Sequence, residues 1–106
     1  MASNDGVTIT FHMTLKPEAV DGFVKAAKGL LEGTTTFPGF RSIRIVQHKD
    51  DPTKILFVER WDSEEDYRKY IAWRTEQGAM AAMAQAVVSM ESNVWPNLLV
   101  EAERES

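Results

Sequence analysis

The order in which strand-like and helix-like patterns follow one another constrains the fold of this chain more than any other feature. Apolar and polar side chains alternate from Val7 to Leu15, which is typical of a strand with one buried face. Phe40 to His48 and Ile55 to Trp61 also have strand patterns, and a polar hairpin connection joins them. A last strand is predicted over about Asn93 to Ala102.

Two helical regions separate these strands. After Pro17, which suits the first turn of a helix, apolar residues recur at three- and four-residue steps from Val20 to Leu31. Ser63 is suited to cap the second helical region, which opens with acidic residues at its positive end. Gly78 is expected to break or bend this helix, and a further helical segment is predicted from Ala79 to Met90.

The element order β-α-β-β-α-β predicts an α+β fold of ferredoxin-like topology, an antiparallel four-stranded sheet with helices on one face. A length of 106 residues suits one domain, and the predicted core covers about 7–102. A short polar N-terminal tail and a charged C-terminal tail flank this core.

Helices on one face leave the other face of the sheet uncovered. Leu56 and Val58, with either Trp95 or Val94, would place apolar side chains there. Soluble monomers rarely expose such a patch, so we predict a two-fold homodimer in which two sheets pack together. The alternative is a monomer with an apolar sheet surface.

Composition excludes several classes of function. A net charge of -4 argues against a nucleic-acid-binding protein, and the absence of cysteine excludes thiolate nucleophiles and thiolate metal sites. No apolar run is long enough to cross a bilayer, and the first residues lack the pattern of a signal peptide. These features predict a cytoplasmic protein that binds neither nucleic acid nor membranes.

The segment from Ile55 to Tyr67 resembles the signature of the antibiotic biosynthesis monooxygenase (ABM) superfamily. It contains a hydrophobic strand, then Glu-x-Trp, then a Ser-capped helix opened by acidic residues. The upstream Phe37-Pro38-Gly39-Phe40 is similar to the family's turn into the second strand. The resemblance covers about Val7 to Val100 and implies a dimeric α+β barrel. Family members include cofactor-independent oxygenases of polycyclic phenols, quinol monooxygenases and haem-degrading enzymes.

The resemblance also implies roles for single residues. Trp61 matches the family's pocket-lining tryptophan at the strand end, and Tyr67 matches a pocket tyrosine of the aromatic-oxidising members. Phe57 stands where those members have an asparagine, so one polar contact is missing. The quinol-oxidising members often carry histidines in the second helix, and Tyr70 and Trp73 are near the corresponding positions of this sequence. The helical region contains no histidine to bind haem iron, which argues against haem degradation.

Cofactor and metal motifs are missing. There is no glycine-rich dinucleotide loop and no phosphate loop, and the two histidines, His12 and His48, have no clustered carboxylates at ligand spacing. An enzyme of this sequence is therefore expected to use no organic cofactor and no metal. Cofactor-free oxygenation requires an electron-rich aromatic whose anion passes an electron to dioxygen, in a pocket that excludes water.

Periodicity and resemblance together give the candidate site. Strand alternation places Phe57, Glu59 and Trp61 on one face, the helix-facing side, with Phe11 and Met13. The candidates for the chemistry are Trp61, Tyr67, Arg74 and Glu59. The candidate substrate-binding residues are Phe11, Phe57, Tyr70, Trp73 and Met83.

Each of these candidates also has a structural interpretation. Trp61 would anchor the core, and Tyr67 would pack half-buried. Arg74 would stabilise an oxyanion, lie on a solvated helix face, or form an ion pair. Glu59 would be a buried general base or would pair across the sheet. His12 is interpreted as an interface histidine on the other face.

The resulting functional hypothesis is a cofactor-independent monooxygenase of a phenolic, anthrone-like or quinol-like aromatic, with dioxygen as second substrate. The pocket would lie between the sheet and the second helix. The alternative is a non-catalytic dimeric binding module for an apolar aromatic metabolite. A third hypothesis, a plain dimerisation protein, predicts a filled core without a pocket.

Overall fold

A computed structural model describes residues 5–105 and has the predicted element order. Four strands form one sheet: β1 (Val7–Leu15), β2 (Phe40–Gln47), β3 (Lys54–Trp61) and β4 (Val87–Trp95). Their spatial order is β2-β3-β1-β4, and all neighbours are antiparallel. The α+β, ferredoxin-like prediction is therefore confirmed.

Three α-helices accompany the sheet: α1 (Val20–Ala26), α2 (Glu64–Glu76) and α3 (Ala79–Ala86). Short 3-10 turns at Pro17–Ala19 and Gly29–Leu31 flank α1. Within the described residues, no helix is long and apolar enough to span a membrane.

The two central strands have one buried face, which we call the inner face because the helices pack on it. In β1 the buried side chains are Val7, Ile9, Met13 and Leu15. In β3 they are Ile55, Phe57, Glu59 and Trp61. The predicted placement of Glu59 and Trp61 on the helix-facing side is therefore confirmed.

The prediction of a helix through Val20 to Leu31 is wrong in its extent. Helix α1 ends at Ala26, and no side chain caps its N-terminus. Gly22 and Gly29 lie in this segment, and each glycine costs about 1 kcal/mol relative to alanine in a helix. The apolar stripe is also incomplete, because Val24 is 52% exposed.

The boundary between the last helix and the last strand was also predicted wrongly. Helix α3 ends at Ala86 instead of Met90, and β4 begins at Val87 instead of Asn93. Met90 pairs with Met13 in the ladder and is 41% exposed, so it belongs to β4 and not to the predicted helical segment. The strand ends at Trp95 rather than Ala102, because Pro96 has no backbone N–H for a ladder.

The start of α2 is as predicted. The Ser63 hydroxyl oxygen accepts a hydrogen bond from the backbone N–H of Asp66 at 3.1 Å and donates to the Asp66 carboxylate at 3.0 Å. This close arrangement requires Gly39, whose φ is +89° and where a Cβ would lie 2.5 Å from the Asp66 side chain. Gly78 separates α2 from α3 with φ of +81°, so the predicted break is confirmed.

The opposite side of the sheet, which we call the outer face, carries no helix within residues 5–105. It presents Thr8, Thr10, His12 and Thr14 of β1 with Leu56, Val58 and Arg60 of β3. The register also decides between two sequence alternatives. Trp95 lies on this face and donates its indole N–H to the Thr10 hydroxyl at 2.8 Å, whereas Val94 pairs with Ile9 on the inner face.

Candidate active site

Trp61, the last residue of β3, lies at the centre of the candidate site and is 0% exposed. Its ring packs against those of Tyr70 (centroid distance 4.8 Å), Phe40 (5.5 Å) and Tyr67 (5.9 Å). We call the complete group the aromatic cluster: Phe37, Phe40, Trp61, Tyr67, Tyr70 and Trp73. The cluster fills the space between α2 and this end of the sheet, which supports the anchoring interpretation of Trp61.

Glu59 lies two residues before Trp61 on the same face of β3 and is buried, with 4% exposure. Its carboxylate accepts a hydrogen bond from the Trp61 indole N–H at 3.0 Å, rather than pairing across the sheet. Burial raises the pKa of Glu59, and the bond from Trp61 opposes this only in part. A carboxylate with a raised pKa is a better proton acceptor than an exposed one when it is ionised.

Tyr67 lies on the first turns of α2, half-buried beside this pair. Burial is the largest cause that raises the pKa of its phenol, followed by the negative charge of Glu59 and by Tyr70. The phenol therefore stays protonated at neutral pH. It is a hydrogen-bond donor close to a buried base.

Arg74 was predicted to stabilise an oxyanion or to lie on a solvated face, and the structure gives it another position. Its guanidinium donates to the backbone carbonyls of Leu30 (2.8 Å) and Glu32 (3.0 Å). It also donates to the Tyr70 hydroxyl at 3.0 Å and to the Thr34 hydroxyl. The solvated-face interpretation is wrong, because these bonds tie α2 to the loop after α1.

Thr34 is a residue that the sequence reasoning missed. It is 0% exposed, and its hydroxyl is 2.9 Å from the Tyr70 hydroxyl. In the sequence it is one of three consecutive threonines, of which the next two are exposed. No local pattern distinguishes the buried threonine, since its partners lie on α2, 36 and 40 positions away.

The predicted substrate-binding residues fall into two groups. Tyr70 and Trp73 belong to the aromatic cluster. Phe11, Phe57 and Met83 lie at the other end of the inner face, where Phe11 and Phe57 meet edge to face at 5.5 Å. We call this second group the aliphatic core: Met13, Leu15, Ile55 and Phe57, with the side chains packed on them.

The inner face is open along β4. Met90 and Val94 point to this side but are 41% and 36% exposed, so the helices leave them uncovered. Val94 pairs with Ile9, and Ile9 pairs with Glu59. Two strand spacings, about 10 Å, therefore separate the buried carboxylate from this apolar opening.

The structure also shows two surface depressions away from the aromatic cluster. One of about 490 Å³ lies on the outer face and is lined by residues that include His12, Lys54 and Leu56. A smaller one of about 170 Å³ lies beside Trp95 and Arg60. His48 is exposed, and its ring nitrogen accepts hydrogen bonds from the backbone N–H groups of Asp50 and Asp51. Within residues 5–105, no three His, Asp or Glu side chains are grouped to hold a metal.

Comparison with known proteins agrees with this architecture. A family model described as antibiotic biosynthesis monooxygenase matches residues 6–87. No curated protein sequence matches the chain.

Several solved structures share the fold. SnoaB, a cofactor-independent oxygenase from Streptomyces nogalater, was solved as a mutant and is similar with a TM-score of 0.78 and 16% identity, over 93% of this chain and 99% of that one. A protein from Deinococcus radiodurans has a TM-score of 0.80 and 13% identity, over 93% and 99%. A conserved protein from Methanosarcina mazei has a TM-score of 0.77 and 19% identity, over 87% and 92%. At these identities the similarity shows the fold alone.

Proposed function

The chain belongs to the antibiotic biosynthesis monooxygenase family, and we propose that it is a cofactor-independent monooxygenase of a phenolic, anthrone-like or quinol-like aromatic. The observation that carries this proposal is the buried carboxylate of Glu59, which the Trp61 indole holds in place. A buried carboxylate is costly, so a chemical use explains its presence better than packing does. Tyr67 beside it supplies a neutral donor.

The proposed chemistry begins with proton abstraction. Ionised Glu59 takes a proton from the reactive carbon of an anthrone-like substrate, and the negative charge spreads over the rings to the substrate oxygen. The phenol of Tyr67 donates a hydrogen bond to that oxygen, which stabilises the anion. Trp61 keeps the carboxylate oriented through its indole N–H.

Oxygen then acts as the electron acceptor. The anion passes an electron to dioxygen, and recombination forms a carbon–oxygen bond to a peroxide. Glu59 returns its proton to the distal peroxide oxygen. A second substrate proton leaves the same carbon as the O–O bond breaks, so the products are a carbonyl and one water. One oxygen atom is retained in the product, as in a monooxygenase.

The open strip along β4 is the proposed approach for the substrate. Met90 and Val94 are exposed on the inner face of β4. Phe11 of the neighbouring strand β1 pairs with Ser92, between these two residues, and packs on the aliphatic core. Ile9 lies between this strip and Glu59, so a flat aromatic bound here would have to extend across Ile9 for its reactive carbon to reach the carboxylate. Arg74 has a positioning role in this proposal, because its Nε and Nη2 donate to groups of its own chain.

Oxygen uptake tests the proposal. Chelator-treated protein is mixed with anthrones and hydroquinones, and uptake is compared with the rate of autoxidation. We expect uptake above that rate, lowered at least tenfold by Glu59→Gln and less by Tyr67→Phe or Trp61→Phe. Ile55→Val, in the aliphatic core, is the matched control. Uptake that is equal in the Glu59→Gln variant would exclude Glu59 as the base.

The second candidate is a non-catalytic binding module for an apolar aromatic metabolite. The observation that favours it is the filled aromatic cluster, so that on the inner face the β4 strip is where a ligand would bind. The two functions differ in one experiment. Saturable quenching of tryptophan fluorescence by the same compounds, without oxygen uptake, would support the binding module.

We also propose that two copies pair through their outer faces to form the dimeric barrel. Trp95 and Val46 on this face are 56% and 41% exposed, and Leu56 and Val58 lie between their strands. Pairing two such faces would bury these side chains. Sedimentation velocity at micromolar concentration tests it, and a monomer under those conditions would contradict it.

A further inference from the structure

The segment between α1 and β2 packs on the aromatic cluster but is weakly tied to the rest of the chain. Residues 27–37, which we call the flap, contain the 3-10 turn Gly29–Leu31 and otherwise turns and bends. Within residues 5–105, their backbone-to-backbone hydrogen bonds reach only the end of α1 and the first residue of β2. Neither α2 nor the rest of the sheet therefore holds the flap through backbone groups, which is typical of segments that open locally.

Two side chains of α2 tie the flap down. Nη2 of Arg74 donates to the carbonyls of Leu30 (2.8 Å) and Glu32 (3.0 Å) and to the Thr34 hydroxyl. The Tyr70 hydroxyl makes the remaining hydrogen bond between flap and α2 in the described part of the chain, with the Thr34 hydroxyl at 2.9 Å. Nη2 has two hydrogens for three acceptors, so these bonds are shared. One side chain therefore provides most of the attachment.

Phe37 is the ring that the flap contributes to the aromatic cluster. Its centroid lies 5.4 Å from those of Tyr70 and Trp73 and 6.1 Å from that of Trp61. The other five rings of the cluster belong to β2, β3 and α2. Of the six rings, Phe37 is therefore the one that can leave without a change in a strand or a helix. It would leave a space bounded by three aromatic side chains.

Two glycines lie where the flap would bend. The φ of Gly33 is +83°, and that of Gly39, two residues after the flap, is +89°. Glycine adopts positive and negative φ about equally readily, so the chain can change direction at these positions. A Cβ at Gly33 would lie 2.7 Å from the Trp73 ring, so glycine also lets the closed flap approach α2.

We propose that the flap is a displaceable cover of a ligand site, and that Phe37 fills this site in the absence of ligand. A flat aromatic with a phenolic oxygen would take the place of Phe37 beside Trp61, Tyr70 and Trp73. Arg74, released from the flap, would then donate to the phenolic oxygen. The ligand class rests on the proposed function, but the displacement of the flap does not require oxygen consumption.

The exchange replaces each interaction with one of the same kind. The ligand ring makes the ring contacts that Phe37 gives up, and water can bond to the carbonyls that Arg74 leaves. The guanidinium exchanges neutral oxygens for a phenolic oxygen, and its bond strengthens as negative charge develops there. The flap is therefore closed without ligand and open with it, because the ligand binds the open state alone.

The position of this site suits the buried carboxylate. The place of Phe37 adjoins Trp61, whose indole donates to Glu59. On the β4 strip, in contrast, Ile9 lies between a ligand and Glu59. Opening of the flap would thus bring an aromatic next to the hydrogen-bond partner of the proposed base.

Nuclear Overhauser effects on the full-length chain test the displacement. Without ligand, the Phe37 ring should show contacts with the Trp73 ring. Saturation with 2-naphthol should abolish them, and contacts between 2-naphthol and Trp61 should appear. The rings of Phe23 and Phe57, whose centroids lie 6.4 Å apart in the aliphatic core, are the control and should keep their contacts. Bound 2-naphthol with the Phe37 contacts retained would overturn the proposal.

Truncation of Phe37 gives a second test. Phe37→Ala removes the ring that a ligand has to expel, so the Kd of 2-naphthol in isothermal titration calorimetry should fall at least tenfold. Phe23→Ala removes the same ring from the aliphatic core and is the matched control, with a Kd equal to that of the wild type. An equal gain of affinity in both variants would show that any vacated space binds the compound, which contradicts a dedicated site.

The role of Arg74 is tested by comparing 2-naphthol with naphthalene, which lacks the oxygen. We expect the wild type to prefer 2-naphthol, Arg74→Met to lose this preference, and Arg74→Lys to retain part of it through its charge. Arg68→Met, at an exposed ion pair on the same helix, is the control and should keep the preference. A preference that survives in Arg74→Met would show that Arg74 only ties the flap to α2.

Oxygen uptake separates this inference from the proposed function. Uptake with the Phe37 contacts retained would overturn the displaceable flap and leave the monooxygenase standing. Loss of these contacts without uptake would support the flap and favour the binding module. A chain that binds neither 2-naphthol nor naphthalene would overturn the ligand site under the flap, and uptake with anthrones would still test the proposed function.

Discussion

At one end of the inner face five aromatic side chains cluster with Trp61, whereas at the other end Met13, Leu15 and Ile55 pack with Phe57. The aromatic cluster also holds buried polar groups: the Glu59 carboxylate, the Tyr70 hydroxyl and Thr34. No buried polar or charged side chain among the described residues belongs to the aliphatic core. One end of the inner face is therefore held by packing alone, and the other also holds a defined arrangement of hydrogen-bond donors and acceptors.

This difference has a physical consequence for tolerance to substitution. Apolar cores accept changes of shape when the total volume is kept, because no partner has to be satisfied. A buried polar network loses more when one member is removed, because the remaining groups stay buried without partners. The two ends should therefore respond differently to comparable substitutions.

The largest expected effect is the loss of free energy of unfolding when a ring is truncated at either end of the inner face. Phe57→Ala should lower the free energy of unfolding by about 3–5 kcal/mol, the usual cost of deleting a buried ring. Trp61→Ala should cost that amount and about 1–3 kcal/mol more, because Glu59 loses its donor. Urea titration at pH 7 measures both. Equal costs would mean that the polar groups of the aromatic cluster add nothing to its stability.

A smaller effect is expected from Thr34→Val, which keeps the shape of the side chain and removes its hydroxyl. The Tyr70 hydroxyl and the Arg74 guanidinium each lose a partner, so the free energy of unfolding should fall by about 1–3 kcal/mol. Thr36→Val, at an exposed position two residues later, is the control and should change it by less than about 0.5 kcal/mol. If both variants melt alike in a thermal scan, Thr34 does not support the cluster.

Much of the inner face could be predicted because its signals are local. Strand alternation placed Glu59 beside Trp61 on the buried side, and the Ser63 cap fixed the start of α2. Both signals depend on neighbours within a few positions in the chain.

The parts that could not be predicted depend on distant contacts or on ambiguous spacing. Thr34 and Arg74 meet across 40 positions, and no local pattern reports such a bond. Met80, Met83, Val87 and Met90 fit helical spacing, yet the ladder with β1 takes the last two into a strand. Pairing with an adjacent strand outweighed the helical periodicity at that point.

The smallest expected effect is the contribution of Glu59 to the pH dependence of the free energy of unfolding. Burial raises its folded pKa above the ordinary value of 4.5, so the folded state holds this proton more tightly than the unfolded state does. This contribution to stability is complete below pH 4.5 and is lost as the pH rises through the folded pKa. The Glu59→Gln variant lacks this pH-dependent contribution. Its free energy of unfolding should therefore rise relative to that of the wild type toward neutral pH. The gain should be about 1.4 kcal/mol for each pH unit between the two pKa values.

Urea titrations from pH 4 to pH 8 measure this relative gain. Glu65→Gln, at an exposed ion pair with Lys69 on α2, is the matched control and should show almost none of it, because this side chain is in contact with water in both states. In the Glu59→Gln variant the amide oxygen can still accept a hydrogen bond from the Trp61 indole. The aromatic cluster should therefore keep its packing and its near-ultraviolet circular dichroism. A Glu59→Gln variant whose stability follows the wild-type pH profile would show that this carboxylate is hydrated in the folded protein. The aromatic cluster would then differ from the aliphatic core in its larger number of rings and not in a buried charge.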